Sequence, residues 1–160
     1  MKKLFFIRHS KAIPNGSCND FDRPLNEKGI ANTHLMSDVL LKQKIKPQLV
    51  ISSPAIRAVS TAIIMCNDLK FPLNQLILEP ILYESTVQHY LNVIQKTNNT
   101  IETLFLFAHN PTITEVCNIF SNTSIEHVPT SGVVGFSIDI DDWEKINKTK
   151  SSLLVYDFPR

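Results

Sequence analysis

Residues 4–12 read LFFIRHSKA: four apolar residues run directly into Arg8, His9, Ser10 and Lys11. An apolar run this short, with β-forming side chains and no helical period, reads as a strand, Lys3 to Ile7, covered on both faces. Two cationizable side chains then stand together where the strand stops. Leu49 to Ile51 and Thr103 to Ala108 (TLFLFA) repeat the pattern. The second is followed by Ser52, Ser53 and Pro54, and the third by His109, Asn110 and Pro111.

Those polar-and-proline clusters are helix starts, since a serine caps orphan N–H groups and proline fits the first turn. Behind the second strand Ala55, Val59, Ala62, Cys66 and Leu69 keep one helical face. Behind the third, Ile113, Val116, Cys117 and Phe120 follow the i, i+3, i+4, i+7 spacing. After the first strand a polar loop, Pro14 to Arg23, delays the helix until Asn26, with Leu25 and Ile30 spaced as a hydrophobic staple. Its core face is expected at Ala31, Leu35 and Val39. Val87, Tyr90, Leu91 and Ile94 mark a fourth helix. Val134, Phe136, Ile138 and Ile140 alternate as a half-buried strand, and Ser152 to Phe158 offers a last one. Strands alternating with helices predict a three-layer α/β/α fold with a mostly parallel central sheet, and residues 1–160 form one domain.

Composition narrows the function. The 160 residues are 43% hydrophobic and 19% charged with a formal net charge of +1, so no broad basic field invites nucleic acid and any anion site must be local. Cys18, Cys66 and Cys117 lack C-x-x-C spacing and read as reduced thiols, which suits a cytoplasmic protein. The apolar run before Arg8 is too short for a signal peptide or a membrane span.

In such sheets ligands gather outside the carboxyl ends of the strands. Arg8 and His9 reach that edge from the first strand, His109 from the third, and Arg57 lies in the first turn of the helix after the second. Each has a plainer reading. Arg8 and His9 could be a polar loop pair, His109 a helix cap, and Arg57, off the apolar face of its helix, an exposed surface residue. Convergence on one rim is what favours a site.

The segments FFIRHSKA, LVISSPAIRAVSTA and LFAHNPTI resemble the three signature segments of the histidine phosphatase superfamily, whose fold is phosphoglycerate mutase-like. DRPLNEKG, Asp22 to Gly29, is similar to the stretch leading into that family's first long helix, and the short length most resembles the small phosphohistidine phosphatase branch of the SixA type. Ser10 departs from the pattern, because many members carry glycine there. The resemblance implies that His9 is the nucleophile, attacking phosphorus to give a phosphohistidine intermediate. It implies that Arg8, Arg57, His109 and Asn110 bind the phosphoryl oxygens, guanidinium forks matching phosphate in two-point contact. Glu84 resembles the family's acid, with Asp22 in reserve; beside a helix start, a glutamate also serves simply as a dipole partner.

No H-E-x-x-H or H-x-H grouping suggests a metal, and neither G-x-x-x-x-G-K-S/T nor G-x-G-x-x-G is present for a nucleotide cofactor, so none is expected. His34, His89 and His127 have no spacing partners and are expected on helix surfaces and in a loop. The expected substrate is phosphohistidine on another protein, for instance a histidine-containing phosphotransfer domain, because little chain is left over for a lid. Only Pro14 to Arg23 and Lys70 to Tyr83 could lean over the site. The alternatives are a phosphomonoesterase acting on a small phosphate ester or phosphopeptide, and a phosphate-binding module without turnover.

Overall fold

The computed structural model describes residues 1–148 and 151–160. Along the described chain come β1 (Lys2–Arg8), α1 (Glu27–Lys42), β2 (Leu49–Ser52), α2 (Ile56–Asp68), β3 (Leu76–Leu78), α3 (Val87–Gln95), β4 (Thr103–Ala108), α4 (Thr112–Phe120), β5 (Val133–Ile138) and β6 (Ser151–Asp157). The strands form one sheet in the order β3-β2-β4-β1-β5-β6. β1, β4, β2 and β3 pair in parallel, while β5 runs antiparallel to both β1 and β6. The fold is the three-layer, mostly parallel α/β architecture expected.

Side-chain alternation along the strands divides the core between the two faces. Leu4, Phe6, Leu104 and Leu106 pack with α3 and α4 through Tyr90, Ile94, Ile113 and Val116. Phe5, Ile7, Phe105 and Phe107 pack on the other face with Met36 and Leu40 of α1 and Ala62 and Met65 of α2. Each such side chain, fully buried, contributes about 1.5–3 kcal/mol of transfer free energy. The register sets Arg8 beside Ala108 and Ser52 beside Phe107, so β1, β2 and β4 end together. His9, Ser53 and His109 are the next residues of three adjacent strands.

Four local expectations are corrected. α1 begins behind Asn26, whose side chain accepts from Gly29 N–H as a cap, but Ala31 and Leu35 are exposed and Val39 is only half-buried. Its inner face is Gly29, Thr33, Met36, Ser37 and Leu40, rotated so that the Thr33 hydroxyl meets that of Ser10. α2 starts at Ile56 behind Ala55, without a side-chain cap; Ser53 Oγ instead accepts from Ala55 N–H at 3.3 Å. Lys70 to Tyr83 contains the edge strand β3 and two short 3-10 turns rather than one open loop. β5 is buried on both faces rather than half-buried: Val134, Phe136 and Ile138 join the core built with α3 and α4, and Val133 joins the one built with α1 and α2, while Ile140 falls beyond its end.

Candidate active site

His9 sits at the end of β1, 8% exposed. Its Nδ1–H donates to the Ser10 carbonyl at 2.8 Å, which leaves the lone pair on Nε2. Arg57 Nε–H points at that lone pair from 3.4 Å. Burial above all lowers the His9 pKa to about 3; the bond to the Ser10 carbonyl opposes it, and the neighbouring His109, Arg57 and Arg8 add to the lowering by disfavouring a second cation. The imidazole is therefore neutral, with a nucleophilic nitrogen facing cations.

The backbone beneath it is held by buried hydroxyls. Ser10 N–H donates to Thr61 Oγ1 at 2.9 Å. Ser10 Oγ lies 2.6 Å from both Thr33 Oγ1 and Ser131 Oγ, and Thr33 Oγ1 donates on to Gly29 O at 2.8 Å. Ser10 is thus the junction of a satisfied network that takes in Thr33 of α1, while Ser37, one turn on, donates to Thr33 O. Ser131, with φ 61°, donates its N–H to His9 O at 3.2 Å. At Gly29 α1 touches the loop so closely that a Cβ would stand 2.1 Å from Lys11 O.

Arg57 is 5% exposed, so the surface reading of its helical position does not hold. Its Nη1 donates to Asp20 O at 2.6 Å and its Nη2 to Asp20 Oδ2 at 3.0 Å. Arg8 donates through Nη1 to Val128 O at 2.9 Å and faces His127 Nε2 at 3.1 Å, while its buried Nε has no hydrogen-bond partner. Burial, then the nearby Arg57 charge, lowers the Arg8 pKa. His109 lies with its ring centroid 5.1 Å from that of His9. Its Nε2 is 2.7 Å from Ser53 Oγ, and its buried Nδ1 is unpartnered. Burial, then Arg57, brings the His109 pKa down to about 4, so the ring is neutral. Ser53 Oγ accepts from Ala55 N–H, and the tautomer suited to an anion is the one in which Ser53 gives its proton to His109 Nε2. That tautomer leaves Nδ1–H as a donor. Two arginines, and two buried polar nitrogens without partners, form a seat for an oxyanion.

The remaining expected residues fall differently. Asn110 Nδ2 donates to Val128 O at 2.9 Å and lies 3.3 Å from His127 Nδ1, and its Oδ1 accepts from Thr114. Its side chain therefore fixes the loop that holds Arg8. Glu84 is exposed, with φ 52°, on the turn before α3. Asp22 is exposed as well, and the carboxylate at the site is Asp20, two residues earlier. Sequence reading missed Asp20, Tyr83 and His127. Tyr83 O–H donates to Asp20 Oδ2 at 2.9 Å and its ring packs edge-on to His109. Only the polar loop itself signalled Asp20, and nothing local distinguished it from Asp22. His34 pairs with Asp68 on the surface, and His89 caps α3, as expected of uncommitted histidines. Beside His127 a groove of about 480 Å³ opens, lined also by Asn110, Pro111, Thr114, Glu115 and Glu126. No cluster of three or more His, Cys, Asp or Glu that could hold a metal occurs among the described residues.

The family model of the histidine phosphatase superfamily (branch 1) matches residues 4–97, which carry Arg8, His9 and Arg57. The chain belongs to that superfamily. Among solved structures, a chain from Agrobacterium tumefaciens assigned as a SixA phosphohistidine phosphatase superposes with a TM-score of 0.84 at 22% identity, covering 99% of this chain and 98% of that one. The protein histidine phosphatase SixA complexed with tungstate superposes at 0.82 and 21% identity, covering 98% and 96%. A mycobacterial glucosyl-3-phosphoglycerate phosphatase superposes at 0.70 and 14% identity over the full length of both chains. No curated protein sequence matches the chain. The superfamily's phosphoglycerate mutase-like fold is thus the fold of this protein.

Proposed function

We propose that this protein is a phosphatase that removes the phosphoryl group from phosphohistidine on another protein, through a phosphohistidine intermediate at His9. The observation that carries the reading is the His9 imidazole: neutral, its Nδ1–H tied to Ser10 O, its Nε2 lone pair at a seat of unpartnered donors. Nε2 attacks phosphorus in line as the bond to the leaving nitrogen breaks, and that bond's electron pair returns to the departing imidazole. Water then attacks the phosphorus on His9, releasing phosphate and a proton and regenerating the neutral ring. Arg8, Arg57 and His109 Nδ1–H hold the phosphoryl oxygens throughout, and Asn110 acts by holding the loop against Arg8. As negative charge arrives, the His109 pKa rises and its grip strengthens.

A phosphohistidine ring protonated on its other nitrogen leaves as neutral imidazole without a strong acid. Glu84, exposed on its turn, is the carboxylate we assign to proton donation where the leaving group is poorer. Protein-borne phosphohistidine is favoured because the Asp20 carboxylate and the Tyr83 ring reach Arg57 and His109 from short loops rather than a lid domain, and a groove opens beside His127, which faces Arg8. A histidine-containing phosphotransfer domain is the kind of partner this reading calls for. The free thiols of Cys18, Cys66 and Cys117 suit a reducing compartment, and we place the protein in the cytoplasm. No helix among the described residues is long and apolar enough to cross a membrane.

The test is turnover of a phosphorylated phosphotransfer domain beside a panel of small phosphate esters, with trapping of acid-labile phosphate on the enzyme. His9→Ala should abolish trapping and lower turnover by roughly a thousandfold or more, the scale of losing a covalent nucleophile. Efficient turnover of the small esters alone would support the small-ester reading instead. Unchanged turnover by His9→Ala would refute the covalent mechanism.

A further inference from the structure

We infer that Asp20 is a specificity-determining residue, whose carboxylate sets a fixed negative charge on the leaving-group side of the phosphoryl seat and favours N–P over O–P substrates. The inference rests on the phosphohistidine reading above. Its geometry comes from Arg57. The guanidinium reaches from His9, 3.4 Å from its Nε, to Asp20, where Nη1 and Nη2 bind the carbonyl and carboxylate oxygens. In-line transfer places the leaving atom across phosphorus from His9 Nε2. Asp20 holds the Nη end of Arg57, away from the Nε that faces His9, and its side chain is 48% exposed; the outward position beside it is the one we assign to the leaving group.

That carboxylate is fixed rather than free to swing. Tyr83 O–H holds Oδ2, and Arg23 holds Oδ1 through Nε and Nη2, both at 3.1 Å. Arg23 is itself anchored by Nη1 on Ile13 O at 2.8 Å. Partial burial pushes the Asp20 pKa up, but the bonds from Tyr83, Arg57 and Arg23 outweigh it and hold the group ionised.

The chemistry then depends on what leaves. When an O–P bond breaks, the electron pair collects on an alkoxide or phenoxide oxygen, and a carboxylate nearby opposes that charge. When the N–P bond of phosphohistidine breaks, the pair returns to a ring nitrogen. A ring that enters protonated on its other nitrogen is a cation that Asp20 attracts, and it leaves as neutral imidazole. The same carboxylate thus disfavours one leaving group and favours the other.

The experiment compares kcat/KM for phosphohistidine and for phenyl phosphate in the parent protein, Asp20→Asn and Asp20→Ser, together with binding of vanadate. Both uncharged variants should lower the ratio of N–P to O–P turnover by about tenfold, the scale of one nearby charge at a partly solvated site, and should bind vanadate more tightly. Tyr83→Phe, which keeps the charge, should leave the ratio near the parent value. Equal losses on both substrates with weaker vanadate binding would reduce Asp20 to a support for Arg57 and overturn the inference while phosphohistidine turnover stands. A parent protein inactive on phosphohistidine would overturn the proposed function and this inference together.

Discussion

Acidification should unfold this protein through its two site histidines. Each has an ordinary pKa of 6.5, lowered in the native state, chiefly by burial, to about 3 for His9 and about 4 for His109. Below 6.5 the unfolded chain takes up a proton on each ring, and the native chain does so only near about 4 and then about 3. The unfolded state thus binds more protons across that window, so stability is full above 6.5 and is lost as the pH falls. With two groups the slope is about 2.7 kcal/mol per pH unit well inside the window, and the integrated loss from about pH 7 to about pH 5 is about 3–4 kcal/mol. That is a large share of the roughly 5–15 kcal/mol typical of a domain. Urea unfolding curves at a series of pH values measure it. His9→Asn should remove about half of the slope, and saturating phosphate should flatten it further by raising the His109 pKa. A flat profile between about pH 7 and about pH 5, or an NMR titration of His9 near its ordinary pKa, would refute the reasoning.

Arg57→Ala removes a 5% exposed guanidinium from the seat and should weaken product inhibition by phosphate by about 2 kcal/mol, the scale of charge-assisted hydrogen bonds; an unchanged inhibition constant would take Arg57 out of the site. Gly29→Ala sets helix propensity against contact. Alanine should gain about 1 kcal/mol in an open helix, but a Cβ 2.1 Å from Lys11 O cannot be accommodated without moving backbone. The urea midpoint should therefore fall, by an amount near 2 kcal/mol or more, and a rise would show that the loop yields freely.

Sequence alone determined the strands β1, β2 and β4, the helices behind them, and the edge where Arg8, His9 and His109 emerge. These follow from local pattern: apolar runs ended by polar and proline residues are read within a dozen positions, and parallel strands deliver their ends to one side. The inner face of α1 was not legible that way. Periodicity ranks side chains by hydrophobicity, and here Thr33 is buried where the Ser10 hydroxyl, itself met by Ser131, comes to it from far away in sequence, while Ser37 is satisfied within the helix by the Thr33 carbonyl. β3 was missed because it spans only Leu76–Leu78 and exists by pairing with β2. Arg57 looked like a surface residue on its own helix and became buried only when the loop carrying Asp20 closed over it. Asp20 was chosen over Asp22, and His127 was brought to Arg8, by contacts 37 and 119 residues apart in the chain. Such choices depend on which side chain meets a charge already placed by the sheet, and that is decided only when the chain is folded.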